Sequence, residues 1–209
     1  MRIFFITLLS LGFLVQPVLS EEITVGSALT LTLDLPTGWT IYNEAPEALI
    51  VEVAEHVEHE AEAQGKSPSQ EQILEVAKKR LAANEAIVYH ASSGSHLDID
   101  FSPLEENETP PSSKLLKQSA EFAVQSLEGE EGVSGVEHRI SPFTIPGSSN
   151  AFRIDADYRH HDEPVRFSGI IGYAERHWYF FYFTAPGKDA DAVRTFEDLI
   201  KSFTISPGG

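Results

Sequence analysis

Six consecutive aromatic residues near the C-terminal end, residues 178–183, constrain the possible folds more than any other segment of the sequence. A run that is apolar at both alternating positions predicts a central β-strand that is covered on both faces. Two further strand-like segments, residues 152–159 and 165–171, precede it, and the first alternates apolar and polar side chains. Because short turns separate the three segments, the sequence predicts an antiparallel meander.

The first half of the chain contains three more strand-like segments. Residues 29–35 alternate leucine with Thr or Asp, which predicts a half-buried strand. Residues 86–90 and 97–101 predict two shorter strands, separated by a serine-rich turn. The predicted fold class is therefore α+β with an antiparallel sheet, because helices are expected between these strands.

The helices are predicted from apolar residues at helical spacing and from residues suited to cap helix ends. Residues 46–84 predict a helical hairpin, in which Ser69 caps the second helix and Gln72 completes a capping box. A third helix is expected to begin at Ser112 or Ser113. A fourth helix closes the chain near its C-terminus.

Residues 1–20 have the three parts of a secretory signal peptide: a basic residue, an apolar run and a helix-breaking end with a small residue. We expect cleavage after Ser20 and export of a single domain, residues 21–209, to the periplasm or the extracellular space. A retained membrane anchor is the alternative. A membrane-spanning helix needs about 20 apolar residues, however, and Gln16 and Pro17 interrupt this run. No integral membrane span is expected after cleavage.

Charge and cysteine content exclude several classes of function. The sequence has 32 acidic and 15 basic residues, no cysteine and a formal net charge of −17. Nucleic acid requires surfaces rich in Lys and Arg, so a nucleic-acid partner is not expected. Residues 44–63 contain seven Glu and no Lys or Arg. This acidic stretch is interpreted as a solvated face, and recognition of cations or of a basic partner is the alternative.

Several short segments resemble the PsbP-like (Ran-release-factor-like) family. They are residues 33–39 (Leu-Asp-Leu-Pro-Thr-Gly-Trp), 119–122, 178–186 and 199–203. The resemblance implies an antiparallel β-sheet sandwiched between helices, and the helical hairpin at 46–84 is a departure from the family pattern. Family members are chiefly adaptor, assembly or extrinsic subunits without a catalytic centre. The resemblance therefore favours a protein that is not an enzyme.

No common catalytic or cofactor-binding motif occurs in the sequence, and we expect no catalytic residue and no cofactor. The segment nearest to a metal site contains His56, His59 and Glu60, because the two histidines, three residues apart, could reach one ion. Zinc hydrolases usually have histidines four residues apart in this kind of motif. A polar helix face of Glu–His pairs is the interpretation we favour for this segment.

Two other places are candidates for binding. His160, His161 and Asp162 lie at the predicted tip of a hairpin, where binding residues often occur, although polar residues are also tolerated there. Trp39 follows a turn and is expected to offer an exposed aromatic contact.

Taken together, these features predict a non-enzymatic binding, assembly or adaptor protein of the cell envelope, with a protein as its partner. One alternative is a metal-dependent hydrolase that uses His56, His59 and a carboxylate. Another is an acidic protein that binds divalent cations.

Overall fold

The computed structural model describes residues 19–25, 29–187 and 189–208. Most of the predicted signal peptide, residues 1–18, lies outside the described residues. The described elements form a three-stranded sheet of order β1-β2-β10 and a seven-stranded sheet of order β3-β4-β5-β9-β8-β7-β6. In chain order they are β1 (Leu19–Val25), β2 (Leu29–Leu35), β3 (Trp39–Tyr42), α1 (Glu47–Ala63), α2 (Gln70–Leu81), β4 (Ala86–His90), β5 (Ser95–Pro103), α3 (Ser113–Glu128), β6 (Val133–Phe143), β7 (Asn150–His160), β8 (Glu163–Ala174), β9 (His177–Pro186), α4 (Ala190–Ser202) and β10 (Thr204–Pro207).

The small sheet and α4 cover one face of the large sheet. Four leucines of β2 were predicted to share a face: Leu29, Leu31 and Leu33 are fully buried, and Leu35 is half-buried. They belong to one core with Phe181 of β9 and Phe196 of α4. Burial of this apolar surface is the main contribution to holding the two sheets and α4 together.

The helical hairpin of α1 and α2 and helix α3 lie side by side on the other face of the large sheet. Leu49 of α1 packs with Ile87 and Tyr89 of β4, whereas Leu116 of α3 packs with Ile154 of β7. Residues that lie directly opposite each other in antiparallel strands have their side chains on the same face of the sheet. Ile87 lies opposite Asp98, and Asp98 lies opposite Tyr182, which packs in the α3 core. The hairpin and α3 therefore occupy the same face. The predicted α+β fold, an antiparallel sheet between helices, is confirmed.

Local sequence signals place the helix starts. The Ser69 hydroxyl accepts a hydrogen bond from the Gln72 backbone N–H at 3.3 Å, and the Gln72 side chain accepts one from the Ser69 N–H at 2.9 Å. This capping box confirms the prediction for α2. Ser112, one of the two predicted residues, caps α3, and Asp189 caps α4.

Four strands were not predicted: β1, β3, β6 and β10. Two of them, β3 and β10, have only four residues each, and β6, although 11 residues long, has a mostly exposed surface and a register shift between Ser134 and Glu137. An exposed edge strand with a bulge carries no alternating hydrophobic pattern. In the described part of the chain, no helix is both long enough and apolar enough to cross a membrane.

Candidate binding site formed by four histidines

Two histidine pairs that are about 100 residues apart in the sequence meet in the structure. The ring centroids of His56 and His160 are 4.4 Å apart, those of His160 and His161 are 4.4 Å apart, and those of His59 and His161 are 5.1 Å apart. We call His56, His59, His160 and His161 the histidine cluster. The sequence nominated each pair separately, and the fold unites them.

Helix periodicity and a tight turn position the four rings. His56 and His59 are three residues apart on α1 and therefore lie on the same side of the helix. His160 ends β7, and His161 and Asp162 form the two-residue turn to β8 with φ angles of 47° and 69°. Positive φ at both central residues is the geometry of a hairpin turn that follows the twist of the strands.

The loop between α3 and β6 completes the surroundings of the cluster. Glu130 and Glu131 line the same small cavity as the four histidines. The N–H of His161 donates to the Gly132 carbonyl at 3.0 Å, and a Cβ at Gly132 would lie 2.6 Å from the His161 ring. In the sequence, residues 129–132 read Gly-Glu-Glu-Gly, which is typical of the end of a helix and does not by itself indicate a site.

Glu60 also lines the cavity, but Arg80 of α2 binds its carboxylate. The guanidinium donates two hydrogen bonds to it, at 2.9 and 2.6 Å. This hydrogen bonding, with the positive charge of Arg80, holds the pKa of Glu60 below its ordinary value. Glu60 therefore remains a carboxylate that is held in place beside the histidines.

Burial and mutual repulsion keep His160 uncharged. Burial disfavours the protonated ring, and the neighbouring His56, His161 and His59 add to this effect, which lowers the pKa of His160 to about 4. At neutral pH, His160 is therefore a neutral imidazole with one nitrogen lone pair.

The cavity between the four rings is small. It has room for roughly one water-sized atom, which is far less than a substrate molecule requires. In their present side-chain conformations, no three His, Asp or Glu residues of the described ranges converge on a point where a metal ion could bind. The rings meet at tilted and edge-on angles of 43°, 61° and 62°.

The structure separates the other sequence candidates from the histidine cluster. Trp39 is 6% exposed and stacks on His90 with ring centroids 5.1 Å apart, so the expectation of an exposed aromatic contact is wrong. The cause is the face on which Trp39 lies, because its ring packs in the main core, with the Phe183 ring centroid 6.3 Å away. Asp162 is exposed beside the cluster and does not line its cavity.

Four carboxylates at alternate strand positions, Asp98, Asp100, Asp155 and Asp157, do not come together as one site. Asp155 and Asp157 of β7 face α4, whereas Asp98 and Asp100 of β5 lie on the face that carries α3. Asp155 is instead bound by Arg153, which also binds Glu197 of α4.

Asp98 is a buried carboxyl group with an unpaired atom. Its Oδ1 has no hydrogen-bond partner among the described residues, and burial raises the pKa of the group.

Comparisons with known proteins give structural matches. No protein-family model and no curated protein matches the sequence. The solution structure of cyanobacterial PsbP (CyanoP) from Synechocystis sp. PCC 6803 has 11% identity and a TM-score of 0.50, covering 87% of this chain and 95% of that chain. The crystal structure of LpqN, involved in cell envelope biogenesis of Mycobacterium tuberculosis, has 12% identity and a TM-score of 0.51, covering 92% of this chain and 93% of that chain. These matches confirm the fold predicted from the sequence: the chain has a PsbP-like fold.

Proposed function

We propose that this protein is an exported, non-catalytic binding or assembly protein of the cell envelope, and that its partner is another envelope protein. The observation that carries the proposal is the match to LpqN over 92% of this chain, since LpqN is involved in cell envelope biogenesis. A shared fold does not by itself transfer a function, so the proposal needs its own tests.

Export by cleavage after Ser20 is compatible with the packing of β1. Residues 19 and 20 begin this strand, opposite Leu35 and Asp34 of β2. Its buried core residues, Ile23 and Val25, follow the cleavage position. A mature chain that begins at Glu21 therefore keeps the apolar contacts of β1 with the core.

The size of the cavity favours a binding role over the metal-dependent hydrolase that the sequence left open. A catalytic metal site keeps one position open to water and substrate. The cavity between His56, His59, His160 and His161 admits roughly one water-sized atom. A site of this size suits a small ion surrounded by protein ligands.

Partner binding is tested by photo-cross-linking in the native cell envelope. A photoreactive amino acid replaces Phe122 of α3, which is 65% exposed, or Val51 of α1, which is 47% exposed. Asp191 of α4, on the opposite face of the large sheet, serves as the control position. We expect one discrete adduct with an envelope protein from at least one apolar position and none from Asp191.

Two results would contradict the proposal. The first is recovery of the chain from the cytoplasm with an intact mass that still includes Met1. The second is the absence of a discrete adduct from both apolar positions in protein that has reached the envelope.

A further inference from the structure

Three ring contacts join the four imidazoles of the histidine cluster in a chain. His56 contacts His160, His160 contacts His161, and His161 contacts His59, which returns to α1 three residues from the start. Four of the eight histidines in the chain are thereby gathered around one small cavity.

Imidazole nitrogens select a particular class of ligand. They bind Zn²⁺, Cu²⁺ and Ni²⁺ well, whereas Ca²⁺ and Mg²⁺ prefer oxygen ligands. A cavity with room for roughly one water-sized atom matches a single ion rather than an organic molecule. Glu60, Glu130 and Glu131 around the cavity can accept hydrogen bonds from the imidazole N–H groups, as carboxylates commonly do next to metal-bound histidines.

From this geometry we propose that the histidine cluster binds one transition-metal ion, with Zn²⁺ as the ion used to test it. As the side chains stand, no three of these nitrogens converge on one point, so binding requires the rings to rotate until at least three nitrogens point into the cavity. The backbone of α1 and of the β7–β8 turn already brings the rings close, since the centroids of three ring pairs are 4.4–5.1 Å apart.

Such an ion would join the helical hairpin to the sheet at a second place. Leu49, near the start of α1, packs against β4. Farther along α1, Ala54 and Val57 pack with Ile73 and Ala77 of α2, within the hairpin itself. A metal ion held by α1 and the β7–β8 turn would therefore fix the distal half of the hairpin against the large sheet.

The test is a Zn²⁺ titration of tag-free mature protein from which metal has been removed with a chelator. We expect one Zn²⁺ per chain by calorimetry and the visible absorption of a tetrahedral site when Co²⁺ is used instead. The double variant His56→Gln/His160→Gln should lose about 100-fold or more in affinity, because it removes one ligand from each segment.

His138→Gln/His177→Gln is the matched control, since it removes two histidines outside the cluster. The control should bind Zn²⁺ like the wild type. If the cluster variant does not fold, the single variant His59→Gln, at an exposed position, replaces it. Absence of Zn²⁺ binding, or an equal loss of affinity in the cluster and control variants, would overturn the proposal.

Discussion

Asp155 shows how a single buried carboxylate stabilises one edge of the sandwich. Asp155 is 5% exposed, and its carboxylate accepts hydrogen bonds from Arg153 at 2.9 and 2.6 Å and from Ser168 at 3.0 Å. Burial alone would raise its pKa, but the hydrogen bonds and charge of Arg153, with those of Ser168 and Arg139, hold the pKa below its ordinary value. The folded protein therefore favours the ionised form.

This pKa shift sets a direction for the pH dependence of stability. Because the folded pKa is lower than the unfolded value of about 3.9, the contribution of Asp155 is fully present above that value. It is lost as the pH falls through the folded pKa. We expect Asp155→Asn to lower the free energy of unfolding by about 3 kcal/mol at pH 7, and by less below about pH 4.

Urea unfolding between pH 3 and pH 7 measures this difference. Asp198→Asn is the control, because that carboxylate is exposed and pairs with Lys201 on the surface of α4. Exposed ion pairs contribute little to stability, because water and salt screen the attraction. Equal losses in the two variants, or a loss at Asp155 that does not depend on pH, would show that the buried network does not act as described.

Gly132 controls the position of His161 at the histidine cluster. Its φ angle is +76°, and an added Cβ would lie 2.6–2.9 Å from the His161 ring. Gly135 is a matched control, because its φ angle is +62° and an added Cβ would have no atom within 4 Å. We expect Gly132→Ala to cost about 1 kcal/mol more than Gly135→Ala, since both alanines carry backbone strain but one also displaces a ring. Thermal unfolding of the two variants provides the comparison, and equal melting temperatures would argue against the contact.

Strand β9 is the element on which the packing depends most. Phe181 is fully buried and contacts Phe101, Phe203 and Tyr179, with ring centroids 4.9–5.6 Å apart. Phe180, on the other face, is half-buried. The aromatic run predicted a strand that is covered on both faces. In the structure, Phe181 on the side of α4 is fully buried, whereas Phe180 on the side of α3 is half-buried.

The two faces of β9 should respond differently to truncation. Phe181→Ala is expected to lower the free energy of unfolding by about 3–5 kcal/mol, because it leaves a cavity in the core. Phe180→Ala should cost less, since solvent already reaches part of that ring. Denaturant unfolding of both variants tests the layer order, and the reverse ranking would contradict it.

The α1–α2 hairpin is the element through which metal binding should become visible. Hydrogen exchange of backbone amides in α1 is expected to slow when Zn²⁺ is added, because the ion links His56 and His59 to the β7–β8 turn. Helix α3, which packs on its own part of the sheet, should exchange at an unchanged rate. Slowing that is equal in both helices would indicate a general effect of the ion instead of a link at the hairpin.

At the scale of the whole molecule, local signals predicted much of the fold, and distant contacts were harder to predict. The Ser69 capping box and the alternating leucines of β2 were read correctly, because each depends on residues a few positions apart. Strand β6 was missed because its exposed, bulged sequence has no periodic pattern. The burial of Trp39 was not predicted, because it depends on packing against residues that are distant in the sequence, such as His90 and Phe183.

The candidate site illustrates the same limit. Both histidine pairs were nominated from the sequence, but their meeting depends on how the hairpin docks and where the β7–β8 turn lies. Glu130 and Glu131 lie in a loop after α3 that gave no signal beyond the end of a helix. Only the tertiary structure makes these three segments neighbours.

Anomalous diffraction at the zinc edge, from crystals grown with Zn²⁺, tests most directly the proposal that the two histidine pairs form one metal site. We predict a single strong peak about 2.0–2.1 Å from the nitrogen atoms of at least three of His56, His59, His160 and His161. A map without a peak between α1 and the β7–β8 turn, or with its strongest peak at other residues, would contradict the assignment.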